Sequence, residues 1–553
     1  MKKLLSVIMC IVMVATILSV AFPSAFALGG EVYYIDSVSG DNANTGTSPS
    51  SPWKTLVSFS GEKFNPGDKI LFKCGGTYDC SAVLTDVSGT KEKPIVISSY
   101  GEGDKPILTT DKNTEILTLI DCSYITLSDL ELTAPNGGGI WIDTLGKTSE
   151  GISLDNLYFH SMPNGKVNSR DDFSRGAAAA RAAVMVKGLP ARSRYAVNDL
   201  TISNCEVYDC ANGFIIWGSW NDEQNPWCEP EEEDPIYNEG VLIEGCYLHE
   251  MDAEAVVIGM CDGALVTDCR AINCCQGEGV DENGKVLYYT AAMWFWGSEN
   301  STFQYCEIAG QKNVGDGMTV DFDSQSNNCT YQYIYSHDNN CFMVNNAKTR
   351  PQQNNTVRYC LSVNDNGKRS SIASGAGESG LNFYNNTIVN CGEFQIYHLT
   401  NSLFVNNIII PIDGKPVVYD LRDELTADNV FANNCYYNSL KPMMDALSMN
   451  ADPGFAIKNG EITYELAADS PLIGKGCYVD DGLEYDFFGN KIESHNIGCY
   501  AGTGEISDTE YVQENLSQKL SRMAQYVFER LIHELKVAVR EAIDFINIHI
   551  IGK

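Results

Sequence analysis

A short phrase decides the fold, and it is clearest at residues 203–207, Ser-Asn-Cys-Glu-Val, and at 244–248, Glu-Gly-Cys-Tyr-Leu. In each copy, a polar residue or glycine is second and a small or apolar residue is third. A short run of alternating polar and apolar residues follows. Eleven copies align, with third residues at Leu130, Leu157, Cys205, Cys246, Cys269, Cys306, Ile334, Cys360, Thr387, Ile408 and Cys435. Most intervals between these copies are 21–28 residues. Alternating segments at such a period are typical of a solenoid whose stacked β coils share one core.

We therefore predict an all-β chain that forms a right-handed parallel β-helix over residues 28–502, because crossovers between parallel strands are almost always right-handed. The repeated cysteines share their position with Leu, Ile and Thr, so we interpret them as small inward side chains. A metal cluster does not fit a linear ladder. Outside the ladder, Cys74 with Cys80 and Cys477 with Cys499 are the predicted disulfides.

The two ends of the chain differ from the repeat. Residues 1–27 combine two lysines, an apolar run and the cleavage pattern Ala25-Phe26-Ala27, which predicts a signal peptide and an extracellular protein. Residues 503–553 carry apolar side chains at spacings of three and four from Leu516 to Ala538, which predicts an amphipathic α-helix. We expect this helix to dock on the solenoid and to leave the protein a monomer.

The charge of the chain limits its partners. Its formal net charge is −34, which argues against nucleic acid and against an anionic membrane once the signal peptide is removed. A polyanionic glycan would be repelled unless bound cations or a basic patch compensated. A neutral polysaccharide or oligosaccharide meets no such penalty.

The segment after the signal peptide carries an ordered set of short motifs: Tyr33-Tyr34-Ile35, Pro52-Trp53-Lys54-Thr55, Pro66-Gly67-Asp68 and, near the other end, Asn496-Ile497-Gly498. In this order the motifs resemble the secreted parallel β-helix proteins of the pectate-lyase-like superfamily, over about residues 31–502. Most characterised members of that superfamily are polysaccharide lyases or glycoside hydrolases. The resemblance therefore implies a fold and a class of substrate, and it does not name the reaction.

A second strand follows each copy of the phrase, and its alternation predicts which side chains face outward. We place Ile142, Ile216, Val257, Phe295, Phe322 and Val344 inward. One outward file then holds Trp141, Trp294 and Asp321, and the next holds Asp143, Trp217, Trp296, Asp323 and Asn345. Flat tryptophan rings on a solvent face suit the apolar faces of sugar rings, so Trp141, Trp217, Trp294 and Trp296 are predicted sugar platforms.

Asp321 and Asp323 are the predicted acid and base of a glycosidase. Two residues apart on one strand, their Cα atoms lie about 6.6 Å from each other, within the range that suits both retaining and inverting enzymes. Two like charges this close raise the pKa of one carboxyl group, as a general acid requires. The rival interpretation is a Ca²⁺ site, because paired carboxylates also bind hard cations.

Further residues join this site as weaker candidates. Asp316 precedes the aspartate pair in a Gly-Asp-Gly turn, and His337 follows in the segment Tyr-Ser-His-Asp-Asn; this region resembles one found in uncharacterised β-helix enzymes that act on glycans. Glu254 is expected on the outward face two coils earlier and, like Asn345, is assigned to substrate binding. Lys348 and Arg350 complete the substrate-binding set, and either could serve as the base of a lyase.

The sequence supports three functions. The leading one is a secreted glycoside hydrolase acting on a plant or microbial polysaccharide, with no cofactor required and no metal site. The second is a polysaccharide lyase with Ca²⁺ on the same aspartates. The third is a glycan-binding or adhesin solenoid without catalysis, for which binding without product would be diagnostic.

Overall fold

The computed structural model describes residues 30–504 except 57–63, 163–180, 188–193, 220–234, 278–289, 313–316, 324, 347–351, 368–370, 375–378, 398–399, 413–416, 420–428, 440–444 and 446. The predicted signal peptide and residues 505–553 of the predicted C-terminal helix lie outside this part of the chain. Within the described part there is no α-helix. No helix there has the length and apolar character needed to span a membrane.

Three long sheets, all with parallel pairing, build the molecule. Sheet A has 14 strands: Val32–Ile35, Lys69–Lys73, Ile95–Tyr100, Ile125–Ser128, Ser153–Asp155, Thr201–Ser203, Leu242–Glu244, Leu265–Thr267, Thr302–Gln304, Thr330–Gln332, Gln352–Arg358, Ser379–Tyr384, Leu403–Val405 and Val430–Ala432. Sheet B has 13 strands: Thr77–Asp79, Ile107–Thr109, Glu131–Thr133, Tyr158–Met162, Glu206–Cys210, Tyr247–His249, Arg270–Ile272, Glu307–Ala309, Tyr335–His337, Leu361–Val363, Thr387–Cys391, Ile408–Pro411 and Cys435–Tyr436.

Sheet C has 12 strands: Ala82–Thr85, Glu115–Ile120, Gly138–Asp143, Ala182–Val186, Asn212–Trp217, Val256–Gly259, Ala291–Trp296, Met318–Asp323, Cys341–Asn346, Ser371–Ser374, Phe394–Tyr397 and Val417–Tyr419. The chain visits the three sheets in turn, so each coil adds one strand to each sheet. Short pairs join Ser149–Glu150 to Val197–Asn198 and Asn238–Glu239 to Cys261–Asp262. The parallel β-helix predicted from the period is therefore confirmed, while its right-handedness stays a prediction.

The core lies inside the three sheets and follows the register. In sheet C, inward side chains of successive coils pair with one another and are 0 % exposed: Ile140, Val184, Phe214, Val256, Met293, Val320 and Met343. Each coil thus contributes apolar area that only its neighbours can cover, which is why the isolated coil is not a stable unit.

The corner between sheets A and B explains the repeated phrase. The second residue of the phrase adopts the left-handed backbone conformation, as at Asn204 with φ 53° and Asp268 with φ 55°. Asn, Asp and Gly tolerate this conformation best. The next residue then turns inward. The cysteine ladder is confirmed at Cys205, Cys246, Cys269, Cys306 and Cys360, which are buried free thiols.

The alignment of the last three copies was wrong by one residue. The left-handed residue there is the first asparagine of each pair, Asn385, Asn406 or Asn433, so the ladder position belongs to the second. These second asparagines form a hydrogen-bonded ladder: Asn386 Nδ2 donates to Asn407 Oδ1 at 3.0 Å, and Asn407 Nδ2 donates to Asn434 Oδ1 at 2.9 Å. Cys435 instead begins a strand of sheet B.

The predicted disulfides are also wrong, since all four cysteines are free. Cys80 turns into the core, with Sγ 3.2 Å from the carbonyl oxygen of Ile116, whereas Cys74 is only half-buried. Cys477 Sγ lies 3.4 Å from Asn406 Oδ1, and Cys499 is fully buried in another apolar cluster. Each of these cysteines therefore has its own local surroundings, and none is joined in a disulfide.

A C-terminal arm, residues 471–504, returns along the outside of the late coils. It follows an antiparallel hairpin of Phe455–Lys458 and Glu461–Leu466. Asn385 Nδ2 donates to the carbonyl oxygens of Asn496 at 3.2 Å and Gly498 at 3.1 Å. Tyr333 Oη donates to the Tyr485 carbonyl oxygen at 2.7 Å. The arm therefore covers corners and turns that would otherwise face solvent.

Candidate functional site

The outward face of sheet C carries the predicted aromatic and acidic side chains. Parallel register sets Trp294 beside Asp321 and Trp296 beside Asp323. This pairing follows from inward Phe295 and Phe322, whose burial fixes the alternation of both strands. The structure thus brings together four of the predicted site residues, on adjacent strands about 4.8 Å apart.

The tryptophans are buried, which differs from the open platforms we expected. Trp217, Trp294 and Trp296 are 0 %, 7 % and 2 % exposed. They belong to an apolar group on the outside of sheet C, here named the outer cluster: Ala182, Met185, Ile215, Trp217, Val257, Met260, Ala291, Trp294, Trp296, Met318, Cys341 and Val344. Tyr237, which follows one of the long insertions, packs against it. This face is a covered site rather than a flat sheet open to solvent.

Trp217 contacts tryptophans two coils away within the outer cluster. Its ring meets Trp294 edge-on, with centroids 6.1 Å apart, and Trp296 edge-on at 5.9 Å. Gly259 lies between Trp217 and Trp296 in the register. A Cβ atom built on it would lie 2.1 Å from Trp217 Cε3, so only glycine leaves room for the Trp217 ring. Trp141 is half-buried and packs at the edge of the cluster, with Nε1 3.5 Å from Asp143 Oδ2.

Two strands are shifted by one residue relative to the predicted alternation. Val257 pairs with Trp294, and Val344 pairs with Asp321, so both valines face outward in the outer cluster. Asn345 pairs with inward Phe322 and is 1 % exposed, which corrects its expected position on the outward face. These strands begin with consecutive inward residues, such as Phe342 and Met343, a departure from alternation that sequence pattern did not reveal.

The carboxyl groups differ in their burial. Asp321 is 6 % exposed, whereas Asp323, at the end of the same strand and on the same face, is partly exposed. Glu254 is 1 % exposed, and the register places it level with Ala291 and Met318 of the outer cluster. It lies two strands from Asp321, roughly 10 Å across the sheet, and is also offset from it by three residues, roughly 10 Å, along the strand direction. Three carboxyl groups therefore share one largely apolar face.

Of the remaining predicted site residues, His337 is described, and it is not on this face. His337 is on sheet B, where Nε2 lies 3.3 Å from Glu307 Oε1 and Nδ1 lies 2.9 Å from Asp338 Oδ2. Its proximity to Asp323 in sequence is misleading, because the chain crosses sheet A between them. Asp316, Lys348 and Arg350 lie outside the described residues.

Lys187 is a buried cation that the sequence analysis missed. It follows strand Ala182–Val186 at the level of Asp143 and Trp217, and it is 4 % exposed. Nζ donates to Ser219 Oγ at 2.6 Å and to the carbonyl oxygen of Tyr195. Burial lowers the pKa of Lys187 to about 8, against the opposing effect of Asp143. Continuing the strand alternation by one residue would have found it.

Two further observations describe what this face can bind. Trp294 Nε1 is a buried donor with no acceptor among the described residues, and a buried donor without a partner is costly unless a ligand supplies one. Within the same residues, no group of three or more His, Cys, Asp or Glu side chains is arranged to hold a metal ion.

No family model matches the chain. It is similar to a lacto-N-biosidase of Bifidobacterium longum subsp. longum, with 25 % identity over 84 % of this chain and 36 % of that protein. The chain thus spans about a third of the length of this curated relative.

Two solved structures also show a likeness to the chain. A GH136 lacto-N-biosidase from Eubacterium ramulus has 19 % identity and a TM-score of 0.48, covering 76 % of this chain and 67 % of that one. The pectate lyase Pel9A has 13 % identity and a TM-score of 0.36, covering 87 % and 97 %. The predicted resemblance to parallel β-helix enzymes of glycan breakdown is confirmed: the chain is a parallel β-helix protein and a sequence homologue of a lacto-N-biosidase.

Proposed function

We propose that this protein is a glycoside hydrolase that cleaves a neutral oligosaccharide, with Asp321 and Asp323 as its carboxylate pair. The observation that carries the proposal is the register of two adjacent strands, which sets Trp294 beside Asp321 and Trp296 beside Asp323. Apolar ring faces next to paired carboxyl groups are the components of glycosidic hydrolysis. The similarity to a lacto-N-biosidase supports the same class of reaction.

Burial suggests the division of roles. Asp321 is nearly enclosed by the outer cluster, and an apolar environment disfavours a charge, so the protonated form suits it as the general acid. It would give its proton to the departing glycosidic oxygen as the bond from that oxygen to the anomeric carbon breaks. Asp323, more exposed, would act as base or nucleophile for the addition of water.

The character of the face favours a neutral substrate over a uronate. Asp321, Asp323 and Glu254 are acidic, and the protein carries a net charge of −34, so an anionic sugar would be repelled. Lys187, the buried cation near this face, already binds Ser219 and the Tyr195 carbonyl. The indole N–H of Trp294 offers a hydrogen bond to a sugar oxygen.

The first substrate to test is the unit that gives the relative its name. Release of p-nitrophenol from p-nitrophenyl lacto-N-bioside should be compared with release from neutral and acidic p-nitrophenyl glycosides. We expect Asp321→Asn and Asp323→Asn each to lower kcat by about 10²–10⁴, with melting temperatures near that of the wild type. Asp338, an exposed carboxylate immediately after a strand of sheet B, provides the matched control, and Asp338→Asn should keep wild-type turnover.

The same assay distinguishes the alternatives. Wild-type rates in both variants, on a substrate that the unaltered protein cleaves, would refute the assignment. A product that absorbs as an unsaturated uronate, formed only without chelator, would establish the Ca²⁺-dependent lyase instead. Retention of glycans with no released sugar would favour a binding solenoid.

Export and independence from cofactors belong to the proposal as well. The apolar N-terminal run and the Ala25-Phe26-Ala27 pattern support secretion with removal of residues 1–27. N-terminal sequencing of the protein recovered outside the cell tests this proposal.

We propose that turnover needs no metal, so that dialysis against chelator should leave the rate unchanged. Light scattering tests the expected monomer.

A further inference from the structure

One inward file of sheet A contains a single enclosed hydroxyl group. Register aligns one residue from each strand of the sheet along the core: Tyr33, Ile70, Ile97, Leu127, Leu154, Ile202, Ile243, Val266, Phe303, Tyr331, Val357, Phe383, Phe404 and Phe431. Apart from Tyr33 in the first strand, which is only partly buried, every member except Tyr331 is a hydrocarbon. Tyr331 is 0 % exposed.

The hydroxyl group of Tyr331 crosses the core and reaches the strands that carry the site. Its Oη lies 2.8 Å from the carbonyl oxygen of Asp321 and 3.1 Å from that of Met293. One donated proton is thus shared between the aspartate strand, Met318–Asp323, and the tryptophan strand, Ala291–Trp296. Its position inside the solenoid is directly behind the place where Trp294 pairs with Asp321.

The ring of Tyr331 does not explain the choice of tyrosine. It packs against Phe295, Phe303 and Phe322, with centroids 5.1, 5.3 and 4.7 Å away. A phenylalanine would fill the same volume, as it does at the neighbouring Phe303. Placing a hydroxyl group in this core costs desolvation energy, which its hydrogen bonds offset without a large net gain in stability. What distinguishes tyrosine here is the fixed contact to the backbone of the aspartate strand.

Other polar side chains of the core bind the same strand. Gln352 Nε2 donates to the carbonyl oxygen of Phe322 at 3.0 Å. At the start of the strand, Thr319 Oγ1 lies 2.7 Å from Ser336 Oγ, and Ser336 in turn contacts the fully buried Asp365. The aspartate strand is therefore held from behind at both ends by polar groups of the core.

We propose that Tyr331 is a positioning residue, which fixes the backbone of Asp321 relative to Trp294 and thereby aligns the carboxyl groups with the bound sugar. The inference rests on the proposed function, because it assigns Tyr331 a role through Asp321. Small displacements of a reacting group reduce the rate strongly, by about 10²-fold for 1 Å. Loss of the hydroxyl group should therefore act on kcat and leave KM unchanged.

The test compares two tyrosines with similar surroundings. Tyr78 is also buried, and its Oη lies 3.2 Å and 3.1 Å from the carbonyl oxygens of Ile35 and Lys73, but it is in the first strand of sheet B. Tyr331→Phe should lower kcat about 10- to 100-fold with KM within a factor of two, and Tyr78→Phe should leave both constants unchanged. Similar melting temperatures would show that stability is not the cause.

Hydrogen exchange gives a readout that does not need a substrate. Backbone amides of residues 318–323 should exchange at least several-fold faster in Tyr331→Phe than in Tyr78→Phe. If Tyr331→Phe does not fold, Gln352→Met, which removes the bond to the Phe322 carbonyl, takes its place with the same two readouts.

The outcomes separate this inference from the proposed function. Unaltered kcat in Tyr331→Phe, together with unaltered exchange of residues 318–323, overturns the positioning role even when Asp321→Asn is inactive. Wild-type turnover in Asp321→Asn refutes the proposed function, and the exchange measurement then still decides whether Tyr331 holds the strand.

Discussion

The outward faces of sheets B and C use the same alternation to present opposite surroundings. Sheet B repeats one arrangement three times: a histidine stacks on the tyrosine two residues before it and contacts a glutamate of the preceding coil. The three sets are Glu131 with Tyr158 and His160, Glu206 with Tyr247 and His249, and Glu307 with Tyr335 and His337. These side chains remain partly exposed and already satisfy one another.

The face of sheet C shows the reverse. Three of its tryptophans, Trp217, Trp294 and Trp296, and Asp321 are nearly fully buried, although they point away from the core. The comparison shows that polar or aromatic side chains on the outside of a solenoid do not by themselves indicate a site. What sets sheet C apart is enclosure, since burial strengthens the electrostatic interactions of a carboxyl group.

The largest expected difference between the two faces is in the free energy of unfolding lost when one aromatic ring on each face is truncated. Trp296→Ala should lower the free energy of unfolding by about 3–5 kcal/mol, because the ring is 2 % exposed and leaves a cavity. Tyr247→Ala, on the half-buried stack of sheet B, should cost about 1 kcal/mol or less. Urea denaturation measures both. Equal losses would show that the two faces are equally open to solvent.

A smaller effect, confined to alkaline pH, is expected from Lys187. Burial lowers the pKa of this ammonium from 10.5 to about 8. Between pH 8 and 10.5 the unfolded chain keeps a proton that the folded chain has released, so the free energy of unfolding should rise with pH. The rise attributable to Lys187 is up to about 3 kcal/mol.

Lys187→Met provides the reference for this measurement. Subtracting its stability from that of the wild type at each pH removes the contribution of other titrating groups. A difference that stays constant from pH 8 to 10.5 would mean that Lys187 is solvated like an ordinary surface lysine.

The smallest effect is expected from His337. Burial alone would raise the pKa of Glu307, but the hydrogen bonds from Arg270 and His337 outweigh it and hold the pKa below its usual value. The stabilisation is therefore complete above the pKa of the unfolded chain and is lost as pH falls through the folded pKa. For this partly exposed pair it amounts to less than about 1 kcal/mol.

His337→Gln should accordingly leave kcat within a factor of two and slightly reduce stability at pH 7, with the difference disappearing in acid. Thermal melts at pH 3 and pH 7, and turnover of the substrate identified above, check this. A loss of turnover comparable with that of Asp321→Asn would move the catalytic centre towards sheet B.

Much of this architecture follows from sequence because the β-helix repeats its constraints. The period and the polar residue before each ladder position were enough to predict the parallel coils and the cysteine ladder. The slip at Thr387, Ile408 and Cys435 arose because each follows two adjacent asparagines, and the pattern does not show which of the two adopts the left-handed conformation.

The site was predicted less completely, for geometric reasons. Alternation placed Trp294, Trp296, Asp321 and Asp323 correctly, since large inward rings lie between them. It failed at Asn345, where two consecutive residues face the core. The burial of Trp217 and the contact from Tyr331 to Asp321 depend on segments from other coils and other sheets, which no local pattern records.

The C-terminal arm has a consequence for how the solenoid comes apart. Stacked repeats with only nearest-neighbour contacts lose order from their ends, one coil at a time. The arm joins Tyr333, Asn385 and Asn433 of separate coils to a single returning segment, through the carbonyl oxygens of Tyr485, Asn496 and Lys475. The last coils thus cannot fray singly. They must detach the arm first, so we expect them to melt together as one cooperative unit.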